Sequence, residues 1–272
     1  MPQPHQRTPL PPLRLMLLAV FTLALAGCFH SDDDPAPVPV PDANPTGYYT
    51  NSGFVDVKAG DNSTQRLVQN IQGMVHNGQL MLLGDAEHLT YVGTFTVTGN
   101  DLSGTVTVYE ADVMVQKDVP LSGVITEGSK ITGTLGGSGV ANGTFQLDYA
   151  TDNGPVDMAM VARLLSWEPV AQSPPDIPFL SVSDIAVPIP NVGTATSGNN
   201  IFEGCNFNGR MEPIAGTHLY TVSVTMDNCN GMGTGVDTIP TYTGLISVRG
   251  TDRLILVLTN GAYDFSGEYK EQ

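Results

Sequence analysis

Three cysteines, five histidines and 27 acidic side chains are the groups in this 272-residue chain with the most chemistry to offer, and their spacing decides what kind. Cys205 and Cys229 lie at the outer ends of two strand-like runs, 205–214 and 218–228, that flank Ala215-Gly216-Thr217. A hairpin centred on Thr217 sets the two thiols opposite each other, and a disulfide there would stabilise the fold by roughly 3.5 kcal/mol. Two buried free thiols or a reactive pair are the alternatives, but no Cys-x-x-Cys spacing supports a redox motif. His30, His76, His88 and His218 are scattered, with neither His-x-His nor His-Glu-x-x-His spacing, and read as surface or loop residues rather than metal ligands. Gly136-Gly137-Ser138-Gly139-Val140 comes nearest to a nucleophile elbow. It has Val where the last Gly belongs and sits between strands, so it reads as a loop. The acid pairs Asp85/Glu87 and Asp148/Asp152 match no calcium-loop spacing. No catalytic residue, metal site or cofactor is expected, and the chain is not expected to be an enzyme.

The elements that must position these groups are short and alternating. In Tyr91–Thr98 the odd positions are Tyr, Gly, Phe and Val while most even ones are Thr, the period of a strand with one dry face. Leu102, Gly104, Val106 and Val108 repeat the pattern, as do Phe145, Leu147 and Tyr149, and Tyr220, Val222, Val224 and Met226. Asn77-Gly78 between two apolar runs is a strong hairpin signal, because both residues tolerate positive φ. Gly99-Asn100-Asp101, Glu127-Gly128-Ser129, Asn142-Gly143 and Asn260-Gly261 mark further expected turns. Strands wet on one face exclude a buried parallel sheet. The expected fold class is all-β, with antiparallel β-barrel or sandwich modules of a lipocalin-like kind. One short helix is expected near 156–167, where Met158, Val161, Leu164 and Leu165 share a face behind Gly154-Pro155. Six prolines between 168 and 190 suggest a linker, giving a first β module at 46–155, helix and linker at 156–190, and a second β module at 191–272. The strings 91–109 and 242–260 both open with Tyr-x-Gly and turn at a Gly near an Asp, which suggests an internal repeat.

The front of the chain reads as an address. Arg7 and Arg14 precede an apolar run from Leu15 to Ala26, too short to span a bilayer that needs roughly 20 apolar residues. The arrangement is that of a secretory signal. Leu25-Ala26-Gly27-Cys28 resembles the lipobox of bacterial lipoproteins, which implies a signal peptide of residues 1–27 and lipidation of Cys28. Phe29 follows that cysteine, so by the same resemblance the expected location is the outer membrane, anchored by acyl chains, on either the periplasmic or the surface-exposed side. Residues 28–45 then read as a lipidated cysteine and a tether. Asp32-Asp33-Asp34 and the alternating prolines from Pro35 to Pro41 cannot build a core, and such prolines favour polyproline II at about 3.1 Å per residue. An exported chain also places Cys205 and Cys229 in an oxidising compartment, where disulfides persist.

Lipobox, proline-rich tether and Gly-rich β segments together resemble uncharacterised bacterial lipoproteins with lipocalin-like barrels. The string from Gly93 to Tyr109 looks like barrel hairpins of surface lipoproteins such as transferrin-binding protein B and factor H-binding protein, a likeness confined to one hairpin that implies no ligand. With 11 basic against 27 acidic residues the net charge is −16, which argues against nucleic acid as a partner. Loss of residues 1–27 would remove two arginines and no acid, leaving 9 basic against 27 acidic. The partners expected are the membrane, through the lipid anchor, and a protein, a glycan or a small apolar ligand. The function expected is non-catalytic binding or structural support in the envelope, with a lipocalin-like carrier as the alternative and an envelope hydrolase behind both.

Overall fold

The structure, a computed structural model, describes residues 41–50, 55–58, 65–68, 70–84, 88–155, 167–169, 194–199, 206–227, 241–250 and 252–271. The described residues lie in one compact unit, Pro41–Gln272. They are almost wholly β-structure, with a closed antiparallel eight-stranded barrel and a second, open sheet, an arrangement consistent with a lipocalin-like all-β fold.

The barrel is a meander. Its strands are β1 (Gly47–Thr50), β2 (Val55–Lys58), β3 (Gln65–Val68), β4 (Gln72–His76), β5 (Gln79–Gly84), β6 (Leu89–Thr98), β7 (Asp101–Glu110), β8 (Val113–Thr126), β9 (Lys130–Gly136) and β10 (Asn142–Tyr149). β1 and β2 pair with successive parts of β10, through Tyr49 with Tyr149 and Asp56 with Thr144, and so act as one interrupted stave. β3 and β4 run back along the same two strands as a second. Sequential pairing from β4 to β10 supplies the rest, and the β1–β10 pair closes the cylinder. Tight reversals hold the register. Asn77 and Gly78 take φ of 48° and 72° in a two-residue turn, and Gly99, φ 60°, opens the next. Asn142-Gly143, expected as a turn, instead begins β10, because the reversal is made just before it by a 3-10 turn at Gly139–Ala141.

Alternation decides what lies inside. Tyr49, Leu80, Leu82, Tyr91, Phe95, Leu102, Val106, Val108, Leu121, Ile131, Phe145 and Leu147 form one buried cluster, all on the inward positions of their strands. Both mouths are covered. At the chain's entry, Ala43 donates its N–H to the Gly99 carbonyl, and the buried Tyr49 hydroxyl donates to the Pro45 carbonyl at 2.7 Å. At the other mouth the Tyr91 hydroxyl donates to the Val140 carbonyl at 2.8 Å.

The second sheet is also a meander, β12 (Thr194–Asn199), β13 (Asn206–Pro213), β14 (Leu219–Asp227), β15 (Thr241–Arg249), β16 (Arg253–Thr259) and β17 (Asp264–Glu271). A short strand, β11 (Trp167–Pro169), joins its far edge against β17. Trp167, expected to end a helix, therefore starts a strand that satisfies the outer hydrogen bonds of β17; residues 156–166 lie outside the described set, and among the described residues there is no α-helix. One face of this sheet carries Tyr220, Val222, Val224, Ile246, Leu254, Leu256 and Tyr269 in a cluster of its own. The other packs Leu219, Leu245, Ile255 and Val257 on Tyr48, Met74, Met81 and Leu83 of the barrel's outer wall. Each such side chain gains about 1.5–3 kcal/mol on burial, so the joint is a second core.

Candidate functional site

The joint has polar margins. At the chain-entry end the Arg249 guanidinium lies 4.0 Å over the Tyr48 ring and pairs with Asp152. The Tyr48 hydroxyl donates to Gln72 Oε1 at 2.7 Å, Gln72 Nε2 donates to Glu268 Oε2 at 2.6 Å, and Glu268 also pairs with Arg253. Opposite charges or matched donors and acceptors meet at each of these contacts, although Arg249 Nη1 is buried without a hydrogen bond.

The far end of the barrel is built differently. There β7 turns into β8 through Ala111 and Asp112, with φ of 49° and 65°, a two-residue loop closed by the Glu110–Val113 pair and by an Ala111 N–H bond to the His88 carbonyl. β9 pairs only with Leu121–Thr126, so the first half of β8 has no β9 partner. Val113, Met114 and Val115 are 54, 38 and 48% exposed, and Tyr263, in the loop before β17, is 52% exposed. Val113 and Tyr263 form an isolated antiparallel bridge, the one backbone pairing between barrel and second sheet among the described residues.

Asp112 and Asp264 adjoin that bridge on its two sides, near enough that the charge of one acts on the other. Asp264 is only 5% exposed. Its Oδ2 accepts from Ser266 Oγ at 2.8 Å, while its Oδ1 is buried without a hydrogen bond. Burial raises its carboxyl above the ordinary range, opposed by hydrogen bonds from Thr90 and Ser266. The Asp112 carboxyl is pushed up to about 6, first by desolvation on its inner side and then by the charge of Asp264, with His88 acting the other way. Around the pair, Thr90 and Ser266 share a hydrogen bond of 2.7 Å, and the Tyr109 and Thr259 hydroxyls share one of 2.8 Å.

A cleft of about 630 Å³ opens at the entry end between the segment 42–46, the Asn77-Gly78 turn and the end of β6. His76 lines it, with Nδ1 buried and unpartnered and its basicity lowered by burial. Asp42, the nearby acid, accepts from the Gly99 N–H through Oδ1.

The residues singled out from the sequence do not converge. Cys28, Cys205, Cys229, His30, Asp85 and Glu87 lie outside the described residues. The hairpin meant to join the cysteines pairs Asn206 with Asp227 and Pro213 with Tyr220, one residue off the register that sets 205 against 229. Its turn closes between Gly216 and Thr217, where the Thr217 N–H and hydroxyl both bond the Ile214 carbonyl. Ser138 Oγ donates to Gln116 Oε1 at 3.4 Å and has no base beside it. Asp148 accepts from Gln146, and Asp152 pairs with Arg249. Among the described residues no three His, Cys, Asp or Glu side chains gather as a metal site. Asp112 and Asp264, about 150 residues apart, escaped the sequence reading because only the packing of two sheets brings them near each other. A scan of protein-family models finds no match to the chain, and comparison with curated proteins and with solved structures finds none either.

Proposed function

We propose that the chain is a non-catalytic, lipid-anchored envelope lipoprotein that uses the Val113–Val115 edge to dock a protein partner. The observation that carries this reading is the exposed apolar run at the barrel end opposite the chain's entry. Ten-residue strands hold those ends about 30 Å apart. Asp112, Asp118 and Glu110 surround the tip in a chain of charge −16, so the complementary partner is a protein segment that combines apolar and basic side chains and adds as a strand to the half of β8 that β9 leaves free. An anionic lipid surface is a poorer match to the same charges.

The carrier alternative has less to support it. A carrier needs room inside the barrel, but Phe145 stands across from Gly133 and Phe95 across from Gly104.

A photo-crosslinking residue at Val115, with Val124 on the exposed barrel wall as control, tests the docking in intact cells. The expected result is a protein adduct specific to Val115, followed by binding of the two purified proteins that Val115→Glu weakens at least tenfold. Adducts indistinguishable from those at Val124, or adducts only to lipid, would overturn it. Cys28→Ser should move the protein from the membrane fraction to the soluble one; unchanged fractionation removes the anchor from the proposal.

A further inference from the structure

We infer that the Asp112–Asp264 pair is a proton-operated latch, which holds the β7–β8 tip against the second sheet in mild acid and frees it at neutral pH. The inference rests on the docking reading of the same tip and adds its regulation.

Like charges near each other across an antiparallel pair destabilise it, and here the adjoining bridge is a single one, Val113 with Tyr263, with no further ladder to hold it. With both carboxylates ionised, the repulsion therefore falls on the one backbone link between the sheets among the described residues. One proton changes the pair. A protonated carboxyl donates to the ionised one near it, and the orphaned Asp264 Oδ1 gains the partner it lacks.

The other groups at the joint are few. From β6 and its approach come His88 and the Thr90 hydroxyl; from β7, Tyr109 and Glu110; from β15, Tyr242; and from the approach to β17, Tyr263. Lys117 and Asp118 lie further along β8. Asp85 and Glu87 lie outside the described residues. His88 in its charged form attracts Asp112, but nothing described places a cation against Asp264 itself. Tyr109 and Tyr242 are pushed up by burial and remain neutral through this range.

The direction follows from the raised carboxyls. Asp112 sits at about 6 and Asp264 above its ordinary 3.8, both higher than in an unfolded chain. The protonated joint is thus fully favoured near pH 4, and its advantage is lost as pH rises through about 6. Opening uncovers the Val113 backbone that Tyr263 otherwise engages, extending the free edge of β8 by the residue beside the turn.

Hydrogen exchange on the purified full-length chain tests this without any partner. After correction for the intrinsic pH dependence, amides of 112–115 and 262–264 should be about fivefold better protected at pH 5 than at pH 8, while β9 stays level. Asp264→Asn should hold protection near its acid value at both pH values, and Asp112→Asn, at an exposed left-handed turn position that Asn tolerates, should do the same should the first variant fold poorly. Equal protection at both pH values in the unmodified chain, or dependence surviving in the variants, would overturn the latch. A flat exchange profile together with a Val115-specific partner sinks the latch alone; a normal profile with no such partner sinks the docking reading and leaves the joint as described.

Discussion

Gly133→Ala measures whether the barrel interior has room to spare. A Cβ at this position would stand 2.5 Å from Phe145 Cζ, 2.7 Å from its Cε1 and 2.6 Å from the Ser122 carbonyl oxygen. Ordinary van der Waals contact begins near 3.4 Å, so the ring must retreat by most of an ångström and β8 must part from β9 by a similar amount. Overpacking of this kind costs about 1–3 kcal/mol, and the carbonyl contact, which no side-chain rotation relieves, puts Gly133→Ala near the top of that range. In a unit of this size 1 kcal/mol moves the melting temperature by about 2–4 °C, so a fall of roughly 6–10 °C is expected in a thermal melt followed by circular dichroism. Gly136→Ala is the matched control, since the nearest atom to its Cβ is Pro120 Cβ at 3.3 Å, and it should shift the midpoint by no more than about 2 °C. Adding Phe145→Leu to Gly133→Ala removes the ring contact and leaves the carbonyl one, so it should recover part of the loss. A fall below about 2 °C for Gly133→Ala would show that Phe145 moves into empty space, refuting the filled interior and restoring the carrier reading.

Ala111 holds φ of 49° in the β7–β8 turn, where a side chain is strained, so Ala111→Gly should raise stability by up to about 1 kcal/mol in urea titration. Arg249→Ala removes the pair with Asp152 and the cation over Tyr48, and should lower stability by about 1–2 kcal/mol while leaving Asp152 wet and harmless. A disulfide between Cys205 and Cys229 predicts that thiol labelling of the unfolded, non-reduced chain finds neither cysteine, and that the double alanine variant loses about 3 kcal/mol; labelling of both would remove the staple.

What could be read in the sequence was whatever a period of two controls. Tyr91, Phe95, Leu102, Val106, Phe145 and Leu147 were legible as inward residues because Thr, Ser or Gln alternates with them, and all six are buried in one cluster. Asn77-Gly78 was legible because its φ values admit few other residues. Closure was not legible, since the pairing of Tyr49 with Tyr149 leaves no local mark in either strand. Inward glycines leave no local sign of what fills the space above them; Phe145 lies against Gly133 and Phe95 against Gly104, and ring direction is a property of the packed sheet. The run Val113-Met114-Val115 breaks alternation and so carried no signal of its exposure. Without that run, and without the second sheet's placement on the barrel, Asp112 and Asp264 were two acids among many.

The strings 91–109 and 242–260 each start with a buried Tyr and a Gly on the same face, yet one lies in a closed barrel and the other in an open sheet laid upon it. The difference places the charges. A barrel buries its inward face alone and leaves its outer wall to chance contact with water, whereas the second sheet must also meet that wall, so its charged residues gather where the apolar contact ends. At the entry end this margin sets Arg249 against Asp152 and Arg253 against Glu268. At the far end it brings Asp264 near Asp112, with no cation against the buried member among the described residues. One margin with two compensating ion pairs and one margin of two acids make a joint with unequal ends, and on the latch proposed above sub-global opening would begin at the acid pair. The strand nearest that weak margin is the Val113–Val115 edge, and a partner that adds to it with basic side chains would supply the compensating charge the joint lacks.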